Sequence, residues 1–156
     1  MNAVVIIPTI DPDERLATLI DELRIRGFSR FIVVDDGSDA THDELFERLE
    51  RGSVRVMHHA TNLGKGAAIK TALATVRRMF PEATHVVTVD GDGQHLPDDV
   101  LRVCKAAEGH PAGHDADRHR VRRRQRRLAF LNRARLGAHL SATCAVRGQL
   151  AYVLGG

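Results

Sequence analysis

Residues 3–7 read Ala3-Val4-Val5-Ile6-Ile7, a continuous apolar run with β-branched residues, ended by Pro8. A strand with one face in water alternates apolar and polar residues; a run without alternation reads as a strand buried on both faces, the signature of a parallel sheet covered by helices. Working outward, a helix follows: Asp11 or Asp13 can cap it, Pro12 suits its first turn, Leu16, Leu19, Ile20 and Leu23 recur at helical spacing, and Gly27 ends it. The same alternation recurs three more times. Phe31-Ile32-Val33-Val34 is a strand leading into Asp35-Asp36-Gly37-Ser38, and a helix from about Thr41 carries Leu45, Phe46 and Leu49. Val54-Arg55-Val56-Met57 is a shorter strand; Asn62-Leu63-Gly64-Lys65-Gly66 turns into a helix with Ala68, Ile69, Ala72, Leu73 and Val76 inward, and Pro81 lies beyond its end. Val86-Val87-Thr88-Val89 closes on Asp90-Gly91-Asp92-Gly93-Gln94-His95, and Pro97 opens a helix through Val100, Leu101, Val103 and Cys104. Strand alternating with helix predicts an α/β fold, a mostly parallel Rossmann-like sheet with helices on both faces, over residues 1–108.

The whole chain is 156 residues, a one-domain length at which roughly 70% of the unfolded chain's surface can be buried. With 43% hydrophobic and 28% charged residues it has globular composition, and no apolar run approaches the ~20 residues of a membrane span. The N-terminus carries no basic-then-apolar leader, and two cysteines without C-x-x-C spacing exclude a disulfide scaffold or a cysteine zinc site. These features point to a reduced, cytoplasmic protein. The net charge of +3 conceals an asymmetry: after Asp117 there is no acidic residue but ten arginines, which carry +10 and leave −7 on residues 1–117. The acidic body and the arginine-rich tail therefore need separate readings.

In open α/β sheets ligands bind beyond the carboxyl ends of the strands. Pro8-Thr9, Asp35-Asp36 and Asp90-x-Asp92 all fall there, in loops whose Asp, Gly and Ser also serve simply as turn formers. Asp90 and Asp92, at i and i+2 after a buried strand, can turn toward one point; Mg²⁺ and Mn²⁺ prefer such oxygens and complete their shells with substrate phosphates. Gly91 and Gly93 give the loop freedom, Gln94 offers a third oxygen, and His95 a nitrogen. An EF-hand is excluded because the twelfth position from Asp90 is Leu101, and a phosphatase-type aspartyl nucleophile lacks its following hydroxyl residue. Gly64-Lys65-Gly66 fits neither the P-loop nor the dinucleotide fingerprint, yet a lysine at a helix start can reach a phosphate. The nine histidines contain no H-E-x-x-H; His58-His59 read as surface residues and Cys104 as core.

Taken in order, Ile6-Ile7-Pro8-Thr9, Val33-Val34-Asp35-Asp36-Gly37-Ser38, Asn62-Leu63-Gly64-Lys65-Gly66 and Val89-Asp90-Gly91-Asp92-Gly93-Gln94-His95 resemble the motifs of family 2 glycosyltransferases over residues 2–108. N-L-G-K-G and D-G-D-G-Q-H are most similar to the polyprenyl-phosphate, dolichyl-phosphate mannose synthase-like branch. The resemblance implies a GT-A fold, a nucleotide-sugar donor, inverting transfer and a polyprenyl-phosphate acceptor met peripherally at the inner face of a membrane. It also implies site roles. Pro8, Thr9, Asp35, Asp36, Gly37 and Lys65 would bind the nucleotide, with Asp36 at the base and Lys65 near the phosphates. Asp90 and Asp92 would act catalytically by holding Mg²⁺ or Mn²⁺, with Gln94 as third ligand.

From about Gly109 the motifs stop. Residues 109–156 read as a separate tail, with one helix expected over residues 128–146. Three readings compete for it: binding to an anionic membrane surface, binding to nucleic acid, or an out-of-frame or truncated stretch of a GC-rich gene. Nucleic acid is disfavoured, since no aromatic residue lies within Arg118–Arg127 to stack on bases. A chain cut short near Gly109 would be a nucleotide-sugar-binding half without an acceptor region, so a catalytically incompetent binder stands beside the transferase reading.

Overall fold

The computed structural model describes residues 2–92, 96–108, 140–146 and 149–154. Its elements run β1 (Ala3–Thr9), α1 (Glu14–Ile25), β2 (Phe31–Asp35), a 3-10 turn at Ala40–His42, α2 (Asp43–Arg51), β3 (Arg55–His58), α3 (Lys65–Met79), β4 (His85–Thr88), α4 (Pro97–Glu108), β5 (Leu140–Val146) and β6 (Gln149–Leu154). The four expected strand–helix pairs are all present. The described strands form one sheet in the order β3-β2-β1-β4-β6-β5. The first four are parallel, with Ile7 opposite Val33 and Val5 opposite Val87, and β6 then joins β4 antiparallel.

The apolar runs form strands because both of their faces are covered. Ala3, Val5 and Ile7 point into one core with Leu16, Leu23 and Phe46, while Val4 and Ile6 point into the other with Ala72 and Val76. Thus α1, α2 and α4 supply one layer and α3 the other, which is why no strand shows alternation. Fully burying a Val, Leu, Ile or Phe side chain contributes about 1.5–3 kcal/mol, so the paired cores explain the sheet without help from the loops. Cys104 lies in the first core, as its register predicts.

Helix ends follow local chemistry. Asp13 caps α1 by accepting from the Arg15 amide at 2.9 Å, and Gly27, at φ +91°, turns the chain after it. Gly64, at φ +87°, starts α3 in a conformation that disfavours a side chain.

The tail expectation needs correcting. Residues 140–146 form strand β5 rather than the end of a helix, and β6 continues the same sheet with Thr88 opposite Leu150. Residues 128–139 of the expected helix lie outside the described residues. Strand periodicity was masked there because Leu140–Val146 contains alanines and a cysteine that fit either period. No helix among the described residues is long and apolar enough to cross a membrane.

Candidate functional site

The order of the sheet decides where a cleft can open. From β1 the chain proceeds outward to β2 and β3, then crosses back to β4 on the other side of β1. The loops after β1 and β4 lie side by side at the strands' carboxyl ends, where open α/β sheets bind ligands, and both lead to helices of the same layer. A cleft of about 400 Å³ lies there, lined by Pro8, Thr9, Ile10, Asp11, Pro12, Asp13, Arg15, Asp36, Lys65, Asp90, Gly91 and Asp92. Of the residues predicted from sequence, Pro8, Thr9, Asp36, Lys65, Asp90 and Asp92 come together here. Asp35 and Gly37 are not among the lining residues, and Gln94 lies outside the described residues, as do Gly93 and His95.

Asp36 is the organising carboxylate. Its Oδ1 meets Nδ1 of His59 at 2.7 Å and accepts from the Leu63 amide at 3.0 Å, while Oδ2 accepts from the Gly64 amide at 2.7 Å. Its own amide donates to the Thr9 carbonyl at 2.8 Å, tying β2 to the β1 loop. Burial pushes the Asp36 carboxyl up, but His59 and the two amides outweigh it and hold the pKa below the ordinary value. Asp35 behaves alike: burial opposes ionisation, while the Ser38 hydroxyl at 2.5 Å, the Ser38 amide at 2.9 Å and His58 at 2.8 Å bring the pKa down. Sequence reading placed both histidines on the surface. His58 is half exposed, but the His59 side chain is buried, its Nε2 reaching Thr71 Oγ1 at 2.8 Å.

Gly37 acts on the backbone. A Cβ there would lie 2.6 Å from the Asn62 nitrogen, so its φ of +86° and missing side chain let the β2 turn touch the Asn62-Leu63-Gly64 turn. Gly91 has a related role, since a Cβ would sit 3.0 Å from Thr9 Oγ1.

On the opposite wall, Lys65 Nζ forms an ion pair with Asp90 Oδ1 across the cleft. Asp90 and Asp92 both line the cleft, Asp90 holding the Lys65 ammonium, and carboxylates are the hard oxygen donors that divalent ions prefer. Residues present therefore fit a hard divalent ion. Arg15, missed in sequence reading, is held by Asp13, which raises its pKa with a smaller pull from Asp92. A second group was also missed: ligand atoms of Asp11, Asp39 and His42 lie within 4.8 Å of one another. Asp11 has φ +45°, a conformation unusual outside glycine, with its amide bonded to Ser38 Oγ at 2.8 Å. Nothing in D-P-D signals this beyond a helix cap, because Asp39 and His42 arrive from the next βα loop.

An open, mostly parallel sheet with an acidic, lysine-bearing cleft at the carboxyl ends of its strands defines a Rossmann-like α/β protein. A solved structure with this fold is 4-diphosphocytidyl-2C-methyl-D-erythritol synthase, at TM-score 0.56 and 16% identity over 70% of this chain and 55% of that one. The chain belongs to glycosyl transferase family 2, whose family model matches residues 4–146. That match runs past Glu108, where the motifs recognised in the sequence end, to the last residue of β5. Relatives include the uncharacterized protein MJ1222 of Methanocaldococcus jannaschii, 32% identical over 101 residues. Another is UDP-N-acetylglucosamine--dolichyl-phosphate N-acetylglucosaminyltransferase of Methanococcus voltae, 29% identical over 114 residues. These alignments cover 65% and 64% of this chain; the chain spans 40% and 45% of the relatives' lengths.

Proposed function

We propose that the cleft binds a nucleotide-sugar with a divalent metal, and that the protein is a glycosyltransferase delivering the sugar to a polyprenyl-phosphate lipid with inversion. The observation that carries this reading is the meeting of Pro8, Thr9, Asp36, Lys65, Asp90 and Asp92 in one cleft at the carboxyl ends of the strands. Membership of the family supports glycosyl transfer, and the dolichyl-phosphate named for the Methanococcus voltae relative supports the acceptor class.

Each residue has a task set by its chemistry. Pro8 and Thr9 form the floor against which the nucleoside packs, and Gly91 keeps that floor open. Asp36, ionised by its donors, faces the base end while locking the turn that carries Lys65. Asp35 and Gly37 support the nucleotide side indirectly, by shaping the β2 turn. Lys65 supplies a cation to the diphosphate. Asp90 and Asp92, with Gln94 as the proposed third ligand, hold Mg²⁺ or Mn²⁺. Such an ion, when bound, acts as a Lewis acid that neutralises charge on the leaving diphosphate. The Asp11, Asp39 and His42 group is not assigned this ion, because only Asp11 of the three lines the cleft. A lipid phosphate is already anionic, so the acceptor needs no strong general base from the chain. Direct displacement at the anomeric carbon would invert it.

Calorimetry with UDP- and GDP-sugars, with and without Mn²⁺, tests the binding. Metal-dependent binding lost in Asp92→Ala is expected; binding indifferent to metal or to Asp92 refutes the site. Sugar transfer to a polyprenyl phosphate then separates an enzyme from a protein that only binds nucleotide-sugar.

A further inference from the structure

Lys65 opens α3, and its position is fixed by the turn before it: the Gly64 amide is shared between Asp36 Oδ2 at 2.7 Å and Asn62 Oδ1 at 2.9 Å. Asp90 arrives from the opposite side, directly after the β4 register that pairs with β1. The Lys65–Asp90 ion pair thus bridges two independently anchored walls of the cleft. Both side chains keep solvent access, at 57% and 37% exposure, so the lysine's flexible stem can leave without unfolding anything. The ammonium sits on one of the two carboxylates that the proposed function gives to a divalent ion, and one carboxylate oxygen cannot serve both cations at full strength.

We propose that Lys65 is a latch that makes metal and donor binding depend on each other. In the ligand-free protein Lys65 holds Asp90 and opposes a divalent ion at that carboxylate. An incoming diphosphate offers Lys65 a stronger anionic partner, the ammonium transfers to it, and Asp90 is released to the metal. By linkage, each ligand then strengthens the other by the same factor. Lys65 is in this sense a positioning residue that acts through Asp90, and the proposal rests on the assignment of Asp90 as a metal ligand.

The test is Mn²⁺ binding to the whole chain, followed by the spin-resonance signal of free Mn²⁺, alone and with UDP or GDP. Variants are Lys65→Met, Lys65→Arg and, as a control for general charge, Arg77→Gln at the exposed far end of α3. Partly exposed ion pairs are worth up to about 1 kcal/mol, so Lys65→Met should bind Mn²⁺ alone about five-fold tighter. The gain in Mn²⁺ affinity on adding nucleoside diphosphate should shrink by a similar factor. Lys65→Arg and Arg77→Gln should stay within about two-fold of the parent. The latch is overturned if Lys65→Met leaves Mn²⁺ affinity unchanged, or if Arg77→Gln raises it equally. A lack of Mn²⁺ binding in every variant, nucleotide present, overturns the metal assignment itself and the latch with it.

Discussion

The Asp36 carboxylate and the His59 ring meet at 2.7 Å with side chains only 8% and 9% exposed, joining the end of β2 to the residue after β3. Because an ionised carboxylate only accepts, Nδ1 carries a proton toward Asp36, while Nε2 lies 2.8 Å from the Thr71 hydroxyl on α3. One imidazole thereby links a strand end, the acidic loop and the helix that begins at Lys65.

Removing either partner strands the other. Asp36→Ala leaves the Leu63 and Gly64 amides and His59 without their acceptor, and should cost about 2–4 kcal/mol in urea unfolding. His59→Ala should cost less, about 1–3 kcal/mol, since Asp36 keeps its two amide donors. The double variant should lose clearly less than the sum of the two, with a coupling of about 1–2 kcal/mol. Strict additivity would show that the pair does not act as a unit.

Acid should release this arrangement. The folded pKa values of Asp35 and Asp36 are lowered, so their contribution to stability is complete above the ordinary carboxylate value of about 4 and is lost as pH falls through the lowered values. The share of the urea midpoint that these two aspartates supply should therefore be lost as pH falls below about 4. The gap between the parent and Asp36→Asn should narrow over the same acid range. A gap that is constant down to pH 2 would contradict the assignment.

Two glycines with positive φ should respond differently to alanine. At Gly64 nothing lies within 4 Å of an added Cβ, so Gly64→Ala carries only the backbone strain of φ +87°, ψ 152°, about 1–3 kcal/mol. At Gly37 the Cβ would also meet the Asn62 backbone at 2.6 Å, and Gly37→Ala should lose about 3 kcal/mol or more. Thermal unfolding of both variants checks the order; equal losses would mean that the turn-to-turn contact does not matter.

Ligand should stabilise the fold by mass action. A nucleoside diphosphate with Mn²⁺ at one hundred times its Kd adds about 2.7 kcal/mol, and chelating the metal should remove most of that gain. Asp92→Ala should show little gain under either condition. A Tm shift that survives chelation would point to nucleotide binding without metal.

The strand–helix alternation was legible because its evidence is local. A five-residue apolar run such as Ala3–Ile7, with β-branched residues and a proline directly after it, has few alternatives to a buried strand. Helix faces were legible for the same reason: Leu16, Leu19, Ile20 and Leu23 repeat at the helical period and are all buried. The site was half legible. Acidic loops at strand ends predicted the edge of the sheet, and six of the predicted residues share the cleft.

What the chain by itself determined is the set of strands and helices and the edge where polar loops must gather, since apolar period and turn chemistry act between near neighbours. The tertiary structure alone decided what each polar group touches. Asp36 takes amides from residues 27 and 28 positions away, Lys65 meets an aspartate 25 positions away, and β6 pairs with a strand whose partner residue is more than sixty positions distant. Such contacts depend on which loops the sheet order brings together, and hydrogen bonds between distant residues leave no period in the sequence.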